Sequence, residues 1–268
     1  MEKTFGTIPT ARKLIADQGF NCRDFASAAD IAKSDVIVWT FPKFPCPDPD
    51  KLVERVRNGA GLLLCGGAVL HYHSVNNNRK LFSKFGLAEG YNVGSVLYNK
   101  EIRLPEFDNM TIRLPVTGKN LLLNGVREVI FPMSNSLTKY PANAKILLKA
   151  PATSSQPGAV LAAAFEFGKG RVVYVSDHVF LRPGNLERGD NARFLANILA
   201  WLGKKEPDHS KIQSSLFLTS ARLKEAEDKE KNIHPMKFPA DTPTYLNRSE
   251  LPKGLAGGDP VLDALRAL

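Results

Sequence analysis

The sequence predicts an α/β fold in which a mostly parallel sheet is flanked by helices, with an added β-rich middle segment and an extended C-terminal arm. Three observations carry this. Helix-like and strand-like patterns alternate over residues 9–86, the order of folds built on a parallel sheet. Two strand-like runs, "DVIVWTF" (35–41) and "GLLLC" (61–65), are apolar without alternation, as in strands covered on both faces. Finally, "GAVLAAAFEFGKGRVVYVSD" reads as a hairpin around Gly168-Lys169-Gly170, and "DNARFLANILAWLG" as the helix that closes the unit.

The elements follow in order. Pro9 suits the first turn of a helix, "TARKLIAD" supplies its apolar face, and Gly19 can end it. "FNCRDF" reads as a short strand and "SAADIA" as a small helix. After the strand at 35–41, "PCPDPD" (45–50) places Pro and Asp where a helix begins, and "KLVERVRNG" continues it to a Gly stop. "GLLLC" is the next buried strand, and "NNNRKLFSKFG" a further helix. Between 90 and 150 the pattern changes. "SVLYNKEIRL", "MTIRLPV", "REVIFPM" and "AKILLKA" are short β-like runs separated by Pro, Gly and Asn. In the closing helix Asp190 can cap, Phe194, Ile198 and Trp201 share a face, and Gly203 ends it.

At 268 residues, 43% hydrophobic and 24% charged, the chain can bury a sizeable core. No apolar run approaches the ~20 residues that cross a bilayer, and "MEKTFGTIPTARK" lacks the apolar stretch of a signal peptide. Cys22, Cys46 and Cys65 are too few for a disulfide framework and show no zinc-site spacing. The expectation is a reduced intracellular protein, soluble or peripheral to a membrane. The formal net charge of +9 is uneven: residues 206–268 hold nine Lys/Arg against ten Asp/Glu, leaving 27 basic and 17 acidic groups before them. A basic globular part can attract nucleic acid, anionic lipid or an acidic protein. No block of basic residues interleaved with aromatics marks a nucleic-acid interface. "GKGR" is a hairpin turn rather than a phosphate cradle, and neither a GxGxxG nor a GxSxG motif occurs.

The stretch "GKGRVVYVSDHVFLRPGNLERGDNARFLANILAWLG" resembles the class I glutamine-amidotransferase-like superfamily. It is most similar to the non-amidotransferase branches: ThuA-like proteins, uncharacterised amidotransferase-like domains and the GIFT domains of intraflagellar transport. The resemblance rests on Ser176-Asp177-His178, Phe180, Asn191 and Trp201-Leu202, with "GTIPTARKLIADQGFNCRDF" and "RVRNGAGLLLCGG" matching earlier parts. It spans about residues 5–203 and implies a flavodoxin-like arrangement.

The resemblance makes Cys65 and His178 the candidate catalytic pair. Amidotransferases of this superfamily keep their nucleophile in a G-x-C-x-G turn after a buried strand, with a His on a later strand and a Glu two residues beyond it. Here Gly67 is in place, but Leu63 stands for the first Gly and Phe180 for the Glu, so Asp177 or Glu187 would have to orient the imidazole. A thiolate nucleophile needs such a base, an orienting group and backbone donors facing the oxyanion. The other reading of Cys65 is a small core hydrophobe at the end of a strand.

Any ligand of an open α/β sheet sits at the carboxyl ends of its strands. The candidate cleft residues are therefore Phe41, Pro42, Gly66, Gly67, Asp177 and the histidines His71 and His73. The His-x-His pair has no carboxylate pattern beside it, and the expectation is no metal and no cofactor. Domain organisation reads as an α/β domain over 1–205 and an arm over 206–268. The arm's Met236, Phe238, Tyr245, Leu262 and Leu265 are spaced anchors for docking on the parent domain or on a protein partner. The favoured function is a non-catalytic binding or scaffold subunit of a larger assembly. The alternatives are a Cys65/His178 amide or thioester hydrolase, and a binding domain for a small sugar-like ligand.

Overall fold

The structure, a computed structural model, describes residues 9–22, 27–40, 46–67, 79–93, 111–118, 120–182 and 184–212. Helix α1 (Pro9–Asp17) begins at Pro9, where a missing N–H costs nothing. After α2 (Ala28–Lys33) comes β1 (Val36–Thr40), then α3 (Pro49–Arg57). Asp48 caps α3 by accepting a bond from the Lys51 amide at 2.9 Å, with Pro49 at the first helical position. Strand β2 (Gly61–Cys65) is buried along its whole length. Helix α4 spans residues 79–84.

Strands β3 (Ala88–Val93), β4 (Ile112–Pro115), β5 (Glu128–Phe131), β6 (Ser134–Lys139) and β7 (Lys145–Lys149) make the β-rich middle. The hairpin β8 (Val160–Phe167) and β9 (Gly170–Val175) follows, and α5 (Asn191–Leu202) closes the unit. The main sheet runs β1-β2-β9-β8-β6-β3, with β7 also paired to β8, and curls into a half-barrel. Strands β4 and β5 form a separate two-stranded sheet.

Helices cover both faces of the sheet. On one side Leu63, Cys65, Val173 and Val175 pack with Leu14 of α1 and with Phe194, Leu195 and Ile198 of α5. On the other, Leu62, Leu64, Val172 and Tyr174 pack with Leu52 and Val56 of α3 and Phe82 and Phe85 of the α4 region. Alternate residues of β2 and β9 thus feed two cores, which explains their unbroken apolar runs.

The sheet is mixed rather than mostly parallel. Strands β1, β2 and β9 run parallel, whereas β8, β7, β6 and β3 are joined by antiparallel pairs. The tight turn after Phe167 returns β9 beside β8, so no crossover helix can intervene there. Residues 20–22 of the expected "FNCRDF" strand are not extended into one, and 23–26 lie outside the described residues. The run "SVLYNKEIRL" lies outside them too.

Asp190 precedes α5 but does not cap it with its side chain. Its carboxylate accepts bonds from the Arg127 and Glu128 amides instead, tying the helix start to β5. Asn191 reinforces this by bonding both polar groups of Ile130, at 2.8 and 2.7 Å. Packing divides the chain into units 1–225 and 226–268, and the described residues belong to the first. After α5 the chain stays on the domain. Gln18 pairs its amide with both backbone groups of Asp208 at 2.8 Å, His209 bonds Asn197, and Ile212 is buried.

Candidate functional site at the carboxyl ends of the parallel strands

Register alone brings the candidate residues together. Thr40 faces Cys65, and Cys65 faces Val175, so the exits of β1, β2 and β9 lie side by side. The described part of the cleft is Cys65-Gly66-Gly67 against Ser176-Asp177-His178. Phe41, Pro42, His71 and His73 lie outside the described residues, as do the arm residues Met236, Phe238, Tyr245, Leu262 and Leu265.

The Gly66-Gly67 turn is filled on every side. The Gly66 amide continues the ladder to the Val175 carbonyl at 2.8 Å, and the Gly67 amide donates to Glu89 Oε1 at 3.0 Å. The Gly66 carbonyl meets His178 Nδ1 at 3.1 Å, and the Gly67 carbonyl accepts from Asn135 Nδ2 at 3.0 Å. All four peptide groups are therefore partnered within the chain. Glycine is required at both places. A Cβ on Gly66 would lie 1.9 Å from Glu89 Oε1, and Gly67 combines a φ of +118° with a Met133 carbonyl 2.5 Å from where its Cβ would be.

Cys65 is fully buried, in the core shared with α5. Burial pushes its thiol well up, and the nearby Asp177 charge adds to that. Among the described residues the thiol makes no hydrogen bond. A carbonyl can only accept, so His178 presents Nδ1–H to Gly66 and carries any lone pair on Nε2. Burial lowers the imidazole to about 4, which keeps it neutral near pH 7.

Neither acid that could orient the imidazole does so. Asp177 is buried and accepts from the Val179 and Phe180 amides, at 2.6 and 3.0 Å, and from the Met133 amide. Burial raises it to about 6 against the pull of those three donors. Its carboxylate serves as a knot between the β9 exit and the β5–β6 turn. Glu187 has both oxygens buried and without a hydrogen-bond partner among the described residues. Phe180, standing where the amidotransferase pattern has an acid, is buried and packs on Phe131 with ring centroids 5.5 Å apart.

Sequence reasoning missed Glu89, Tyr174 and Asn135. Glu89 sits on β3, where one oxygen accepts from both the Gly67 amide and the Tyr174 hydroxyl, the latter at 2.7 Å. Burial raises its carboxyl despite those bonds. Its partners are 22 and 85 positions away, so no local spacing announces it. Tyr174 could have been suspected, because a buried Tyr within an apolar strand needs a partner for its hydroxyl. The described residues contain no group of three His, Cys, Asp or Glu able to hold a metal ion. None of their helices is long and apolar enough to cross a membrane.

Comparison with known proteins bears on fold alone, through one solved structure. No family model and no curated relative matches the chain. Among solved structures it is similar to the mmIFT52 N-terminal domain, at 13% identity and a TM-score of 0.61, over 77% of this chain and 96% of that one. A ThuA-like protein from Bacteroides uniformis matches at 15% identity and a TM-score of 0.42, over 66% of this chain and 72% of that one. A GMP synthase protein from Thermoplasma acidophilum matches at 11% identity and a TM-score of 0.44, over 76% of this chain and 92% of that one.

Proposed function

We propose that this chain is a non-catalytic, amidotransferase-like binding subunit of a larger protein assembly, engaging protein partners through its basic α/β domain and its C-terminal arm. One observation carries the reading: every peptide group of the Gly66-Gly67 turn is already partnered within the chain. A Cys65-dependent hydrolase would need those N–H groups for the oxyanion and an ionisable thiol beside a base. Here Cys65 ends a regular strand, the N–H groups of the turn are already taken, and the thiol is a core group. The fold likeness to the mmIFT52 N-terminal domain, which covers nearly all of that domain, is compatible with this reading.

The test is to isolate the tagged full chain from its native source and measure the native mass of what carries it. A stoichiometric complex, unchanged by Cys65→Ala, is expected. A lone chain whose amide or thioester hydrolysis disappears in Cys65→Ala overturns the reading.

A second reading, a small polar ligand at this end of the sheet, draws on one further observation. Asn135 Oδ1 and Ser176 Oγ are buried there without partners among the described residues, and such groups are normally satisfied by water or a guest. A thermal-shift screen of monosaccharides checks it, a saturable rise in Tm that Asn135→Ala abolishes being the expected sign.

A further inference from the structure

The opposite end of the sheet, where β2 and β9 begin, has a different character. The Lys169 amide bonds the Arg57 carbonyl at 2.8 Å, the Lys204 ammonium bonds the Lys169 carbonyl at 3.2 Å, and Arg171 bonds the Trp201 carbonyl at 2.7 Å. Arg57, Lys169 and Lys204 are thus drawn together at this end of the sheet, with Arg171 and Lys205 adjoining on the α5 side. Arg57, Lys169 and Lys204 are exposed. Among the described residues none of the five makes an ion pair, although six other pairs form there. Glu166 stands opposite Arg171 in the strand register and still does not pair with it.

Helix ends explain part of this concentration. The C-termini of α3 and α5 both point here, and cations are favoured beside them. Two such ends amount to about one unit of negative charge between them. Five formal positive charges exceed that, and three of them, on Arg57, Lys169 and Lys204, are exposed.

The aromatic residues of the patch help choose its partner. Arg57 lies over Phe167 at 5.3 Å from the ring centroid, Arg171 over Trp201 at 5.0 Å, and Lys205 over Phe20 at 3.3 Å. Each ring therefore has a face covered by a cation of the same chain. Single-stranded nucleic acid binds through bases stacked on free aromatic faces along a basic groove, and this patch does not offer that arrangement. The same stacking fixes the guanidinium groups in place, so ordering them on a partner costs less entropy.

We infer that the face formed by Arg57, Lys169, Arg171 and Lys204 docks a segment rich in Asp and Glu on a protein partner. This deepens the subunit reading and rests on it, by naming the chemistry of the partner. Carboxylates would meet guanidinium and ammonium groups that hold only neutral carbonyls and ring faces among the described residues, with binding that weakens as salt screens the charges.

Fluorescence anisotropy of the full chain with a labelled oligoglutamate peptide tests the patch. Saturable binding is expected, with a loss of about tenfold or more in Arg57→Glu/Lys169→Glu/Lys204→Glu. The exposed double variant Lys169→Glu/Lys204→Glu, which leaves the Arg57–Phe167 contact intact, should lose several-fold. Charge reversal on β7, Lys145→Glu/Lys149→Glu, should change little. Absence of peptide binding, equal losses in the β7 control, or tighter binding of oligo-dT through the same three residues each overturns the proposal. Native-source isolation separates the two readings. A stoichiometric partner that the triple variant retains undoes the patch and leaves the subunit, whereas peptide binding at the patch by a chain without any partner undoes the subunit.

Discussion

At the scale of single residues the molecule is most sensitive at Gly66 and Gly67. A methyl group on Gly67 meets the Met133 carbonyl and a disfavoured φ together, and backbone cannot swing aside. Gly67→Ala should therefore cost at least about 2 kcal/mol in urea unfolding. Gly66→Ala meets the Glu89 carboxyl and Tyr174 hydroxyl, which can move only by releasing the Gly67 amide, so about 1–3 kcal/mol is expected. Asp177 and His178 make a titration experiment informative because their effects oppose. Asp177 rises from its ordinary 3.8 to about 6, so the folded chain takes its proton first, and the stability this gives is lost as pH climbs from about 4 to 6. His178 falls from 6.5 to about 4, so the folded chain refuses a proton that the unfolded chain accepts, and stability is gained over about 4 to 6.5. In the native protein the two largely cancel. His178→Asn should expose the Asp177 slope, with stability falling toward pH 6 by up to about 3 kcal/mol. Asp177→Asn should show the reverse slope, and urea midpoints measured across pH 4–7 would decide both.

At the scale of elements, α5 holds the β4–β5 sheet through amide side chains. Asn191 bonds Ile130 twice and the Asn185 carbonyl once, and Asn197 reaches the carbonyls of Leu122 and Asn124. Asn191→Ala would strand two buried groups of Ile130, a loss of about 2–4 kcal/mol readable by calorimetry. The helix itself was legible, because its apolar face and Gly203 stop are local signals. The knot that fixes it was less so: Asp190 looks like a cap, and only tertiary packing turns its carboxylate toward β5. Strands β1, β2, β8 and β9 could be read because burial on one or both faces writes itself into composition. Strands β3, "AEGYNV", and β6, "SNSLTK", could not, since both are polar and their pairing comes from neighbours distant in sequence. The site followed the same division. Cys65, Gly67, Asp177 and His178 sit at strand ends that pattern can locate, whereas Glu89 and Asn135 arrive on those unreadable strands.

At the scale of the whole molecule, the sheet's two ends differ in kind: at one the Gly66-Gly67 turn is held by internal hydrogen bonds, and the other presents cations that make no ion pair among the described residues. The chain beyond α5 is held by the Gln18 clamp, so Gln18→Ala should speed tryptic cleavage at Lys204, Lys205 and Lys211 several-fold while leaving the β2–β9 core intact. The three cysteines add a graded record of how the molecule opens. Cys22 is partly exposed, Cys46 is buried, and Cys65 is sealed between β2 and α5. Under native conditions an alkylating reagent reaches the first directly and the last only when the sheet parts from its helix. The ratio of the Cys65 rate to that of a free thiol is then an opening equilibrium constant, with each tenfold of protection worth about 1.4 kcal/mol. A residue placed where a nucleophile would stand thereby becomes a clock for the breathing of the core, readable by mass spectrometry without altering the sequence.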